Sequence, residues 1–208
     1  MVDLLFVPSP LLGPAAWGPV ADLLGGVVAE VDDVASVAAA LSDVVLVPHS
    51  NAGLYAPLLA EAAGARATVY VDAALAGDGP DTALAPPRFL AFLETLADAD
   101  GILPPWTRWW EEGVDELFPD AVTRTAVEAE QPRLPLSYFT SRLTVPPGWA
   151  DRPNAYLAFG QTYADEIAFS RARGWPVTVL PGRHLHQLVD PAEVAAAITS
   201  LVASVVRA

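Results

Sequence analysis

Apolar residues in this chain fall into short unbroken runs rather than alternating with polar ones. Residues 3–7 (DLLFV), 43–47 (DVVLV), 67–71 (ATVYV), 155–159 (AYLAF) and 177–180 (VTVL) each set β-branched, aliphatic or aromatic side chains at nearly every position. Such a run, too short for a helix and without a two-residue polar alternation, is the pattern of a strand covered on both faces. Residues 27–31 (VVAEV) predict a weaker sixth strand. Between the runs the pattern turns helical, over residues 15–24, 34–41, 52–63, 164–173 and 192–206. Strand alternating with helix predicts one α/β domain over residues 1–208: a mostly parallel six-stranded sheet flanked by helices and joined by right-handed crossovers.

One stretch breaks the alternation. Residues 77–149 offer no convincing strand, carry paired prolines beginning at Pro86, Pro104 and Pro146, and hold a cluster of Trp106, Trp109 and Trp110. Helical pieces are expected at 87–97 and 112–130. An insertion this long between sheet strands predicts a helical lid over a pocket; the alternative is a helical layer that only packs. Trp106 and Trp110 are four apart and would share a helix face towards the pocket, leaving Trp109 to pack against the sheet. Arg108 is the one cation among these rings and could hold a carboxylate or stack on an indole.

Candidate chemistry lies at the end of the second strong strand. Residues 44–53 read V-V-L-V-P-H-S-N-A-G, a buried strand running into His49-Ser50-Asn51 and then into small residues and a helix. This is the shape of a nucleophile elbow, where a strained turn exposes a serine and needs small neighbours. Ala52 and Gly53 supply them on one side, while Pro48 stands where glycine is usual. The alternative is an ordinary strand–turn–helix with Ser50 as N-cap. His184 and His186 lie in the loop between the last strand and the last helix. That loop opens at the carboxyl edge of the sheet, where the elbow serine also sits.

Composition narrows the possibilities. The chain has no cysteine and no lysine, which excludes thiolate, Schiff-base and P-loop lysine chemistry. Its net charge of −14 argues against nucleic acid and anionic membranes as partners. No apolar run reaches the roughly 18–20 residues of a membrane span, and the N-terminus lacks a basic segment ahead of its apolar run, so a cytoplasmic protein is expected. No residue spacing suggests a metal site or a nucleotide loop, so no cofactor is expected. Asp32-Asp33 and Glu111-Glu112 read as solvated faces or helix starts, and Asp78 and Asp81 as turn residues.

The chain resembles the α/β-hydrolase superfamily, and within it the small esterase and hydroxynitrile-lyase-like branch. Three stretches carry the resemblance: F-V-P-S-P-L-L-G-P-A-A-W (6–17), V-Y-V-D-A-A-L-A-G-D-G (69–79) and G-R-H-L-H-Q-L-V-D-P-A-E-V (182–194). It implies an α/β-hydrolase fold lacking the first antiparallel strands, with Ser50 as nucleophile and His184, rather than His186, as base. Two further departures from the family bear on the chemistry. The loop after residues 155–159 lacks a carboxylate at the family's position, which leaves Asp72 and Asp165 as alternatives for the acid. The oxyanion hole should use the Asn51 N–H and a donor from the loop at 9–11. Pro10 occupies the usual donor position and has no N–H, so Leu11 N–H or the Ser9 hydroxyl would have to substitute.

Two enzymatic readings follow. One is a serine hydrolase acting on a small hydrophobic ester, thioester or lactone. The other is a lyase or cyclase in which Ser50 and His184 only move protons. A non-catalytic binding module is a third reading, disfavoured by the presence of both residues.

Overall fold

The computed structural model describes residues 2–206. Its first part alternates β1 (Asp3–Val7), α1 (Gly18–Leu24), β2 (Val27–Val28), α2 (Val34–Ala38), β3 (Val44–Pro48), α3 (Ala52–Ala62) and β4 (Ala67–Val71). The long insertion contributes β5 (Asp81–Ala83), α4 (Pro87–Leu96), α5 (Ala121–Glu130), α6 (Leu136–Thr140) and β6 (Arg142–Thr144). The chain then resumes with β7 (Asn154–Phe159), α7 (Ala164–Ala172), β8 (Val177–Leu180), α8 (His186–Val189) and α9 (Pro191–Val206). The main sheet runs β2-β1-β3-β4-β7-β8, and every neighbouring pair is parallel. The chain moves outward from β1 to β2 and then reverses to β3. The carboxyl ends of β1 and β3 thus flank the switch point where open α/β sheets bind ligands.

The two faces of the sheet explain the missing alternation. Phe6, Val45, Val47, Val69, Leu157 and Phe159 pack on one side against Trp17, Val20 and the apolar stripe Val194, Ile198, Leu201 and Val205 of α9. Leu5, Val7, Val44 and Leu46 pack on the other side with Val34 and Ala60. Both sets are buried, so adjacent strand residues are apolar alike. The weak sixth strand shrinks to two residues, because this edge pairs only at Leu5 and Phe6 of β1 and leaves Val27 exposed.

The insertion differs in detail from the mostly helical piece expected. Asp81 is not a turn residue; it opens β5, which pairs antiparallel with β6, Asp81 opposite Thr144 and Ala83 opposite Arg142. Three-residue strands are too short to show a period. The helix expected over 112–130 is broken. A 3₁₀ turn forms at Asp115–Leu117, and α5 starts after Pro119 with Asp120 as cap, accepting the Thr123 N–H at 2.8 Å. The tryptophan cluster lies on a 3₁₀ turn, Trp106–Arg108, not on an α-helix. Trp109 packs inside the insertion against Phe89 and Phe139 rather than on the sheet. Leu93, Leu103, Val127 and Phe139 complete this second core, which rests on Leu11 and Leu12 after β1 and on Leu185 and Leu188 after β8. Among the described residues no helix is long and apolar enough to cross a membrane.

One glycine is required by contact. A Cβ at Gly53 would collide with the Ala74 carbonyl oxygen and the Ala73 side chain, whereas one at Gly18 would meet open space. Gly53→Ala is expected to destabilise the protein by about 1–3 kcal/mol through overpacking, read as a lower urea midpoint. Gly18→Ala should leave that midpoint unchanged.

Candidate active site

The turn after β3 is tight. Three residues separate Pro48 from Ala52, and Ser50 takes φ 58°, a left-handed conformation that costs a non-glycine residue about 1–3 kcal/mol. Backbone bonds hold it there: Ser50 N–H donates to the Val71 carbonyl at 3.3 Å, and its own carbonyl accepts from Gly53 and Ala74 at 3.1 Å each. The unusual Pro48 fits for a local reason. The β3–β4 ladder pairs Val45 and Leu46, then resumes only at a bridge between His49 and Val71, so the missing proline N–H falls in its gap.

Ser50 Oγ lies 2.9 Å from His184 Nε2, and His184 Nδ1 lies 2.6 Å from an Asp72 carboxylate oxygen. Asp72 is fully buried at the carboxyl end of β4, and its other oxygen accepts the Phe159 N–H at 2.8 Å. Asp165 does not reach His184. It occupies the first turn of α7 and is exposed, so of the two candidate carboxylates only Asp72 meets the imidazole. His186 turns elsewhere and pairs with Glu193 at 2.9 Å.

His49 is a contributor that the sequence did not single out. Its ring stacks on that of His184 at 4.8 Å, and its Nε2–H donates to the His184 carbonyl at 3.0 Å. Burial, reinforced by the neighbouring His184, holds its pKa well below the ordinary 6.5, against the opposing pull of that backbone bond. His49 is therefore a neutral donor. Its position next to the elbow serine is the signal that could have marked it.

The expected oxyanion donors divide. Asn51 N–H has no partner among the described residues. Its side-chain oxygen accepts from Tyr138 at 2.8 Å, and Tyr138 accepts from Tyr55 at 2.9 Å, so α6 of the insertion is tied to the elbow. Leu11 N–H instead points at Ser9 Oγ, 3.3 Å away within the same turn. Ser9 lines a separate cavity of about 430 Å³, together with Glu130 and Tyr55, and not the one that holds Ser50.

Ser50 and His184 open into a cavity of about 690 Å³ walled by Leu54, Phe89, Trp106, Trp110 and Tyr163. Trp106 also lies 5.8 Å from the His184 ring, and Trp110 stands at the wall with 41% of its surface exposed. Trp109 and Arg108 do not line it; Trp109 is consumed by the insertion's own core, and Arg108 is exposed, acting on Glu128 instead. Glu112, read as a solvated residue, is exposed but also borders the cavity. Thr162 and Tyr163 line it from the β7–α7 loop, the stretch that lacks the usual acid, and Glu166 from the first turn of α7. With the carboxylate supplied from β4, this loop becomes pocket wall. Glu166 is partly buried there, and its pKa is raised by that burial and by nearby Asp165 and Asp72. Among the described residues no cluster of three His, Asp or Glu side chains could hold a metal ion.

The buried neutral His49 makes stability depend on pH. Unfolded, it takes up a proton near pH 6.5; folded, it resists doing so until well below that value. The unfolded state thus binds more protons as pH falls through this window, and stability must drop. The urea midpoint is expected to fall between pH 7.5 and 5.5, and His49→Gln, which keeps a donor but cannot titrate, should flatten that fall.

No protein-family model matches this sequence, and comparison with curated proteins finds no match. Solved structures do match. An extracellular α/β-hydrolase from a Paenibacillus species is 17% identical, with a TM-score of 0.71 over 97% of this chain and 98% of that one. A pyrethroid hydrolase is 18% identical, with a TM-score of 0.71 and both chains covered completely. A methylesterase from Arabidopsis is 13% identical, with a TM-score of 0.68 over 98% and 99% of the two chains. A 1H-3-hydroxy-4-oxoquinoline 2,4-dioxygenase also matches, with a TM-score of 0.63 at 15% identity over 96% and 91%. Sheet order, serine turn and these whole-chain likenesses agree: the chain has the α/β-hydrolase fold.

Proposed function

We propose that this protein is a cofactor-free serine hydrolase acting on a small hydrophobic ester, thioester or lactone. The observation that carries this reading is the chain Asp72–His184–Ser50, with contacts of 2.6 and 2.9 Å, opening into an aromatic-walled cavity. Ser50 Oγ attacks the carbonyl carbon while His184 Nε2 takes its proton. The carbonyl electron pair moves onto oxygen, which the Asn51 N–H helps to hold. As the intermediate collapses, His184 returns the proton to the leaving oxygen or sulfur, and water then releases the acyl group by the same sequence. Asp72 fixes the His184 tautomer and stabilises the imidazolium. Trp106, Trp110 and Phe89 favour an apolar or aromatic substrate. Two proteins of the same fold are by name a pyrethroid hydrolase and a methylesterase, in keeping with this class.

A second reading has a specific observation behind it. Pro10 removes a backbone donor that ester hydrolysis ordinarily uses, which favours a lyase or cyclase that moves protons through Ser50 and His184 without an acyl-enzyme. The fold also occurs in a protein named as a dioxygenase, so it does not itself select hydrolysis.

A fluorophosphonate probe, read by intact mass, is expected to add once to the wild type and not to Ser50→Ala. Labelling without turnover of any ester, thioester or lactone in a panel would favour the second reading, and absence of labelling would sink the first. Asp72→Asn should lower kcat by up to about 10⁴-fold, while Asp165→Asn should leave it near wild type. In the same panel Trp106→Ala should raise KM most for aromatic esters.

A further inference from the structure

A tetrahedral intermediate on Ser50 carries a negative oxygen, and each well-placed donor to it is worth about 10²–10³ in rate. Asn51 N–H supplies one donor. The loop after β1 is the ordinary source of the other; Leu11 of that loop lines the cavity, but its N–H is engaged within the loop. Pro10 carries no N–H, Leu11 N–H is turned to Ser9 Oγ at 3.3 Å, and Ser9 lines the other cavity. The reaction therefore needs a donor from elsewhere in the pocket.

We propose that the Tyr163 hydroxyl is that donor, hydrogen-bonding the oxyanion in place of the N–H that Pro10 lacks. The inference rests on the serine-hydrolase reading and adds a catalytic residue to it. Tyr163 lines the cavity that holds Ser50 and His184, and its ring centroid lies 5.8 Å from that of His184. The Ser50 side chain is among the groups that act on the Tyr163 hydroxyl. A hydroxyl in the wall of the cavity that holds Ser50 and His184 can meet the carbonyl oxygen of an ester seated there. The residue is also fixed in place: Tyr163 precedes α7, and its carbonyl accepts the Ile167 N–H at 2.9 Å. Burial pushes the phenol pKa upward; the Ser50 contact opposes this, and Asp72 and Glu166 add to it. The hydroxyl therefore keeps its proton and remains a donor.

In the step itself, a bond forms between Ser50 Oγ and the carbonyl carbon, and the serine proton passes to His184 Nε2. The carbonyl π pair goes to oxygen, which accepts hydrogen bonds from Tyr163 O–H and Asn51 N–H. Tyr163 does not give up its proton. When the C–O or C–S bond to the leaving group breaks, the pair returns to the carbonyl and His184 protonates the leaving atom.

Tyr163→Phe keeps the ring against His184 and removes only the donor. With an ester substrate, kcat is expected to fall about 10²–10³-fold while KM stays within about twofold. A boronate mimic of the intermediate should lose affinity in step with kcat/KM, a change that a merely structural role would not produce. Pro10→Ala restores a backbone N–H, and in the Tyr163→Phe background it should recover at least about tenfold of the lost kcat. Full kcat in Tyr163→Phe, or a loss expressed only in KM, overturns the proposal. Ser50→Ala separates this from failure of the parent reading: wild-type turnover in Ser50→Ala would sink the hydrolase, whereas an inactive Ser50→Ala beside a fully active Tyr163→Phe sinks only the tyrosine donor.

Discussion

The buried carboxylate of Asp72 is the group on which the rest of the site depends. One of its oxygens takes the Phe159 N–H and the other meets His184 Nδ1, so a single side chain joins the ends of β4 and β7 to the loop after β8. An unpartnered carboxylate in that position would be costly, and the two contacts remove the cost. They also explain a local oddity. Asp72 adopts φ 39°, a conformation that a non-glycine residue keeps only where its surroundings over-determine it. Ser50 shares that condition at φ 58°, and the two strained residues lie at the ends of adjacent strands. His184 is then fixed from three directions: by Asp72 at one nitrogen, by Ser50 at the other, and by His49 at its backbone carbonyl.

Most of the sheet was legible because a buried strand announces itself through continuous apolar content. The runs at 3–7, 67–71 and 177–180 match β1, β4 and β8 residue for residue. Helix ends were less legible: α2, expected to run to residue 41, stops at Ala38 and continues as i→i+3 turns at Ala40 and Leu41. The insertion was the least legible part. Its strands are three residues long, its tryptophans sit on a 3₁₀ turn, and its core is built from residues that meet only once the chain has folded back. Spacing along a helix therefore put Trp109 against the sheet, whereas it packs inside the insertion, and Trp106 and Trp110 meet at the cavity wall.

The site divides along the same line. Ser50 and His184 were readable because each sits in a local pattern, the strand end and the loop after the last strand. The choice between Asp72 and Asp165 was not readable, because it depends on which side chain projects inward at the sheet edge. Tyr163 and Glu166 were invisible for a related reason. Nothing in a tyrosine followed by acidic residues suggests a pocket wall until the loop that carries them is seen beside Ser50. The loop's missing carboxylate was noticed in the sequence; what took its place was not.

The pairing of β5 with β6 has a consequence for the shape of the cavity. These strands lie near the two ends of the insertion and fasten them to each other, while Tyr138 ties the same segment to Asn51 beside Ser50. A segment fastened at both margins and again in its interior does not swing about one hinge. The half-exposed indole of Trp110 stands where the cavity wall meets solvent. A wall pinned in this way has a fixed outline, so the shape of the cavity is set by packing and not by a closing motion.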